Sequence, residues 1–193
     1  MTIASGFSNP VLDSQRVFRA ILDAMAHPGR VVALPGPQAP APLGAAAAAV
    51  CLALLDYETP LWLDPAAASA EAVAWLRFHC GSPVVGDCRL ARFALIADPS
   101  GMPRLEAFDA GTDERPDHSA TVVLQVEGLA DVGGRRLTGP GIAGESRLDV
   151  VGAPAGFWDG VRANATRFPR GVDLILCAGD WAAALPRTTR IEG

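Results

Sequence analysis

"VDLILCA", residues 172–178, carries one charge, at Asp173, and then five apolar residues with no polar alternation. A strand with one wet face alternates apolar and polar side chains, whereas a strand covered on both faces does not. The run therefore reads as a central strand with a layer of structure on each side of its sheet. Upstream, helical and strand patterns interleave with no internal repeat and no break in composition. The expectation is one α/β or α+β domain of three layers over residues 1–193.

Working outward, residues Asp13 to His27 have helical spacing. Asp13 or Ser14 would cap this helix, and Val17, Phe18, Ile21, Leu22 and Met25 form one apolar stripe. Arg16, Arg19 and Asp23 lie off the stripe. "HPGR" stops the helix, with His27 favoured at its end by the dipole. "VVALP" is a short strand, "PGPQAPAP" a turn-rich loop, and Leu43 to Leu55 a buried alanine-rich helix. "TPLWL" is a strand. "DPAAASAEAVAWLRFH" is a helix capped by Asp64, with Pro65 first and Ala72, Trp75, Leu76 and Phe78 facing inward. "RFALIA" and "ATVVLQVE" are strands, separated by a loop from Asp98 to Ser119 with at most one short helix. "RRLTG" is a short strand, "GFWDGVRANA" a helix, and "WAAALPRTTRIE" a short strand and tail.

Composition excludes whole classes of function. Half of the residues are apolar and only 6% aromatic, so the core is built from Ala, Val, Leu and Ile. Charged residues make up 19%, below the usual ~25%. Either a partner covers some apolar surface, or the chain is simply alanine-rich. A net charge of -5 argues against nucleic acid. All sixteen basic residues are arginine. Without lysine there is no Schiff base, no lysine-linked pyridoxal phosphate and no Walker A loop. Cys51, Cys80, Cys88 and Cys177 form no C-x-x-C and read as reduced core residues. A metal set of His79, Cys80 and Cys88 would need an unusual backbone path, because His79 and Cys80 are adjacent. "MTIASGFSNP" lacks the basic and apolar regions of a signal peptide, and the longest apolar stretch is too short to span a bilayer. The expected location is the cytoplasm.

"LTGPGIAGE", residues 137–145, fits the G-x-G-x-x-G pattern of dinucleotide-binding folds. That reading needs a helix after the glycines and an acidic residue about 20 positions on, at a strand end. "ESRLDVVGAP" is cut short by Gly152 and Pro154, and Asp159 falls in a helical stretch. Pro140 also removes an amide that would face a phosphate. The stretch reads as a tight turn.

Six stretches together resemble the H subunit of the carbon–phosphorus lyase system of phosphonate breakdown, the PhnH family. They are "DSQRVFRAILDAMAHPG" (13–29), "LLDYETPLWL" (54–63), "WLRFHCGSP" (75–83), "LTGPGI" (137–142), "FPRGVDLIL" (168–176) and "LPRTT" (185–189). They span the chain in the family's order. The resemblance implies an α/β three-layer αβα sandwich with a mixed sheet, like the large domain of pyridoxal-phosphate-dependent transferases but without the cofactor. It also implies a homodimer when isolated, and assembly with subunits G, I and J. The implied reaction of the assembly displaces adenine from MgATP by an alkylphosphonate, giving a ribose 1-phosphonate 5-triphosphate. Radical C–P cleavage belongs to subunit J, so no iron–sulfur cluster, other cofactor or metal is expected here.

Phosphonate and triphosphate are anions, for which arginine is the best-shaped ligand. Three groupings could supply one: Arg77 with His79 in "WLRFH", Arg170 and Asp173 in "FPRGVD", and Arg187 with Thr188 and Thr189 in "PRTT". Each has a plainer reading. Arg77 pairs with a carboxylate, Asp173 bonds to turn amides, or "PRTT" grips another chain. No catalytic residue is assigned. The chain is expected to be an accessory subunit or, alternatively, a subunit with its own anion pocket.

Overall fold

The computed structural model describes residues 3–192. VDLILCA supplies β8 (Asp173–Ala178), an inner strand of a seven-stranded sheet. The order is β1 (Val32–Ala33), β9 (Trp181–Leu185), β8, β5 (Thr121–Gln125), β4 (Phe93–Ile96), β2 (Leu61–Leu63) and β3 (Val84–Val85). The strands from β8 to β3 are parallel, and β9 runs antiparallel to both β8 and β1. The sheet is therefore mixed.

Register explains the missing alternation in β8. Leu63, Leu95, Val123 and Ile175 are aligned across four strands and face one core. Ala94, Val122, Leu174 and Leu185 are aligned one position over and face the other. Each fully buried Leu or Ile contributes about 1.5–3 kcal/mol, more than any single cap or surface pair. Double-sided burial is thus the main organiser.

The first core lies under α1 (Pro10–Ala26), α2 (Ala45–Leu54) and α3 (Ala70–Cys80). α1 begins earlier than expected. Its cap is Asn9, whose side chain accepts from Leu12 N at 3.2 Å, while Asp13 returns a bond to Asn9 N at 2.9 Å. Pro10 takes the first position, where a missing N–H is harmless. The expected apolar stripe is split: Val17 and Ile21 are buried, but Phe18 and Leu22 are 45% and 51% exposed. α1 lies at the flank of the layer, packed on α2, β1 and β9, so only a narrow strip is covered. α2 is buried from Ala46 to Cys51, and its alanines let it lie close to both neighbouring helices.

Asp64 does not cap α3. It ends β2 and bonds to the N–H of Ala67 in a separate turn, and Ser69 caps the helix by accepting from Ala72 N. Phe78, expected inward, is 68% exposed. Gly81 ends α3 in the left-handed conformation (φ 69°). Between residues 98 and 119 the chain makes three short 3-10 turns rather than one helix.

The second core is covered by α4 (Phe157–Ala165) and by an antiparallel sheet of β10 (Arg190–Glu192), β6 (Gly128–Thr138) and β7 (Ser146–Val151). The "RRLTG" strand is the end of the much longer β6. β7 was hidden in "ESRLDVVGAP", although Leu148 and Val150 alternate with exposed Arg147 and Asp149. The result is an α/β structure with a mixed sheet. Its second covering layer pairs one helix with a small sheet, where the αβα expectation has helices alone. "LTGPGIAGE" is the β6–β7 turn, with Leu137 opposite Ser146, and a strand rather than a helix follows it. That removes the dinucleotide reading.

Candidate functional site

"FPRGVD" and "PRTT" meet at the N-terminal end of β8. The β8–β9 pairing sets Leu174 opposite Leu185, which carries Arg187 back over Asp173. Asp173 Oδ1 accepts from Arg187 N at 2.8 Å and Nε at 3.2 Å, and Oδ2 accepts from Nη2 at 2.5 Å. Arg187 Nη1 donates to the carbonyl of Pro116 at 2.6 Å. Both side chains are mostly buried, at 14% and 16% exposure. Thr189 N closes the turn onto Pro186 O, and Thr188 is half-buried. The Thr189 hydroxyl is buried, and among the described residues it has no hydrogen-bond partner. From α4, Asn164 bonds to both the N–H and the C=O of Val172. Gly171 is a close-approach glycine (φ 135°), where a Cβ would come within 2.8 Å of Asn164 Oδ1. Arg170 points away and pairs with Asp113 at 3.3 Å.

Chemically this is a staple between β8, β9 and the 116–118 turn. Asp173 neutralises the guanidinium and takes its bidentate face, the face an anion would need.

Arg77 and His79 lie on α3 in the helical layer, and no hydrogen bond or ion pair links them to Asp173 and Arg187. His79 Nε2 lies 2.9 Å from the carbonyl of Ala4, to which Trp75 Nε1 donates at 3.0 Å. A carbonyl only accepts, so His79 carries its proton on Nε2 in this contact. The ring packs at a tilt against Trp75, and a Cβ at Gly6 would come within 3.0 Å of its Nδ1. His79 thus holds the N-terminal segment down. Arg77 is exposed; its carbonyl accepts from Gly81 N, and among the described residues its guanidinium makes no hydrogen bond or ion pair. Cys80 Sγ contacts Cys51 O, and Cys88 Sγ contacts Ala107 O in the opposite core, so the His79–Cys80–Cys88 set does not converge. Burial pushes the Cys80 and Cys177 thiols up to about 12 and Cys51 well above its ordinary value. Thiols held neutral in this way are poor nucleophiles.

In open α/β sheets ligands favour the carboxyl ends of the strands, at the point where the crossovers diverge. Here β2 continues through α3 to β3 on one side, and β4 continues to β5 on the other. Asp64 fills the place between them. It is 1% exposed; its Oδ1 accepts from Ala67 N (2.8 Å) and Ala97 N (3.1 Å), and its Oδ2 from Asp98 N (3.0 Å). Three amides that could cradle an anion are occupied by the chain's own carboxylate. Beside it, a cleft of about 510 Å³ opens between the ends of β4, β5 and β8 and the start of α2. Gln125 braces its wall through Gly44 N and Pro42 O. The ionisable groups lining it include Asp98 and Glu127 but no arginine. A larger hollow, about 600 Å³, lies elsewhere, between residues 102–106 and the first turn of α4. The sequence reading missed Asp64 and Gln125 as site elements. "LWLDP" did hold a signal, an Asp at a parallel-strand end, but Pro65 made it look like a helix cap.

Residues 5–192 match the family described as bacterial phosphonate metabolism protein (PhnH). A protein of Rhizobium meliloti (strain 1021), named alpha-D-ribose 1-methylphosphonate 5-triphosphate synthase subunit PhnH, is 41% identical over 98% of this chain and 95% of its own length. The chain belongs to the PhnH family. A second relative, the putative C-P lyase subunit protein HtxG of Stutzerimonas stutzeri, is 36% identical over 92% of this chain and 85% of its own.

Three of the stretches that carried the PhnH resemblance meet in space. A Cβ on Gly141 (φ 82°) would lie 2.1 Å from Ala26 O, and one on Gly139 would lie 2.8 Å from Thr188 O. "LTGPGI" is therefore pressed between the end of α1 and "LPRTT". Gly29 N bonds to Ala184 O at 3.3 Å, tying "HPG" to β9. In this PhnH-family chain these stretches form a packing junction of the backbone.

Proposed function

We propose that this chain is the H subunit of a carbon–phosphorus lyase complex in phosphonate utilisation. It works beside subunits G, I and J when a ribose 1-phosphonate 5-triphosphate is formed from MgATP and an alkylphosphonate. The observation that carries this is 41% identity, over nearly the whole chain, to a protein named as a subunit of that synthase. The role is accessory: the chain forms surfaces that hold and shape a neighbouring active site, and it acts in the cytoplasm as one domain. Among the described residues no helix is long and apolar enough to cross a membrane. In this reading Asp173, Arg187, Thr188 and Thr189 maintain the strand ends, His79 anchors the N-terminal segment, and Arg77 is a surface contact. The isolated chain forms a homodimer. Its sheet belongs with the large domain of pyridoxal-phosphate-dependent transferases, with the cofactor lost; the absence of lysine fits that history.

Cells lacking this subunit should fail to grow on methylphosphonate as sole phosphorus source and should recover when it is restored. Normal growth of the deletion strain refutes the assignment. Calorimetry on the isolated protein with MgATP and with methylphosphonate should give no binding heat at millimolar ligand. Saturable heat would move the function to a subunit with its own anion pocket.

A further inference from the structure

α1 carries the densest group of exposed apolar side chains on the molecule: Val11 at 78%, Leu12 at 47%, Phe18 at 45% and Leu22 at 51%. Three of them, Val11, Phe18 and Leu22, are regularly placed, and Leu12 lies off their line. Residues 11, 15, 18, 22 and 25 alternate steps of four and three, the spacing of a coiled-coil seam. The occupants are Val11, Gln15, Phe18, Leu22 and Met25, with exposed Gln15 as the single polar member and half-buried Met25 at the inner end. A seam with this repeat fits another helix, crossing at a shallow angle, better than a loop or a strand.

Charge selects among helices. Arg19 flanks the seam and is exposed, and among the described residues its guanidinium makes no hydrogen bond or ion pair. The acids of α1 are engaged: Asp13 with Asn9 N and Arg16, and Asp23 with Arg30 and His27. A second copy packed antiparallel would set Arg19 beside its own counterpart. Packed parallel, it would face Ser14. Neither arrangement supplies a carboxylate.

We propose that this face of α1 docks an amphipathic helix of a different polypeptide, which brings an aspartate or glutamate against Arg19. The inference rests on the chain being a complex subunit, as proposed above.

The test co-expresses the tagged full-length chain with subunits G, I and J and measures their recovery. Wild type should retain them. Phe18→Glu and Leu22→Glu should each lower recovery about tenfold or more, and Arg19→Glu should weaken it by a smaller factor. All three should leave the thermal midpoint unchanged, because the positions are exposed. In the wild-type assembly, amide exchange over residues 11–25 should slow relative to the isolated chain. Full recovery with Phe18→Glu and Leu22→Glu overturns the seam and leaves complex membership standing. The seam is equally overturned if Phe18→Glu splits a wild-type homodimer while companions are retained, since the occupant is then a second copy. Wild type that recovers no companions overturns both proposals.

Discussion

The two ends of the parallel strands are built in opposite ways. At the N-terminal end, Arg187 and Asp173 close on each other and on Pro116. At the C-terminal end, the strands part around a cleft of about 510 Å³, but its walls bring carboxylates and no arginine. At these two strand ends, the arginine faces its own carboxylate and the open cleft is lined by carboxylates. An arginine beside hydroxyls therefore makes an anion site only if its donors are uncommitted and face a space. Neither end of this sheet meets both conditions.

The comparison can be broken most directly at the staple. Asp173→Ala leaves a largely buried guanidinium unpaired and should cost about 3 kcal/mol in urea unfolding. A loss below about 1 kcal/mol would show that Arg187 is free to serve a ligand. At the other end, Asp64→Asn keeps the shape but turns an NH₂ group towards amide donors. It should cost about 1–3 kcal/mol by the same measurement, and an unchanged midpoint would mean that the carboxylate does not hold the switch point closed.

Alkali offers a separate test, of the buried thiols. Cys51, Cys80 and Cys177 have folded-state pKa values raised above the ordinary 9.0. Above that pH the unfolded chain loses protons that the folded chain keeps. Stability is therefore full below pH 9 and falls as pH rises towards about 12. The slope should approach about 1.4 kcal/mol per pH unit for each thiol, and a flat profile between pH 9 and 11 would contradict their burial. The smallest effect belongs to Thr189. Its hydroxyl has no partner to lose, so Thr189→Val should leave stability within about 0.5 kcal/mol or raise it slightly. A clear loss would reveal a bond that the hydroxyl makes.

Much of this architecture was legible. β8, β5 and β4 announced themselves because double-sided burial leaves no polar residue inside the strand. α2 and α4 followed from length and spacing. The errors have local causes. Asn9-Pro10 outranked Asp13 as a helix start because reciprocal bonds between Asn9 and Asp13 use both side chains. Phe18, Leu22 and Phe78 fitted helical spacing, but spacing gives a face and not the width that a neighbouring layer covers. β7 was masked by the glycine and proline that follow it. For the candidate site, the sequence showed which residues could bind an anion, but not that Asp173 and Arg187 would find each other. That pairing depends on the β8–β9 register, which nothing local encodes.

The pairing of Val32–Ala33 with Trp181–Ala182, and of Arg190–Glu192 with the end of β6, has a consequence for folding. Both sheets are closed by strands that follow β8 in the chain. Until β9 and β10 pair, β8 lacks its antiparallel neighbour and the small sheet lacks one edge. Long-range closure of this kind folds slowly and exposes aggregation-prone surface in the interval. Truncating even the final three described residues should thus harm soluble yield more than their small contact area implies.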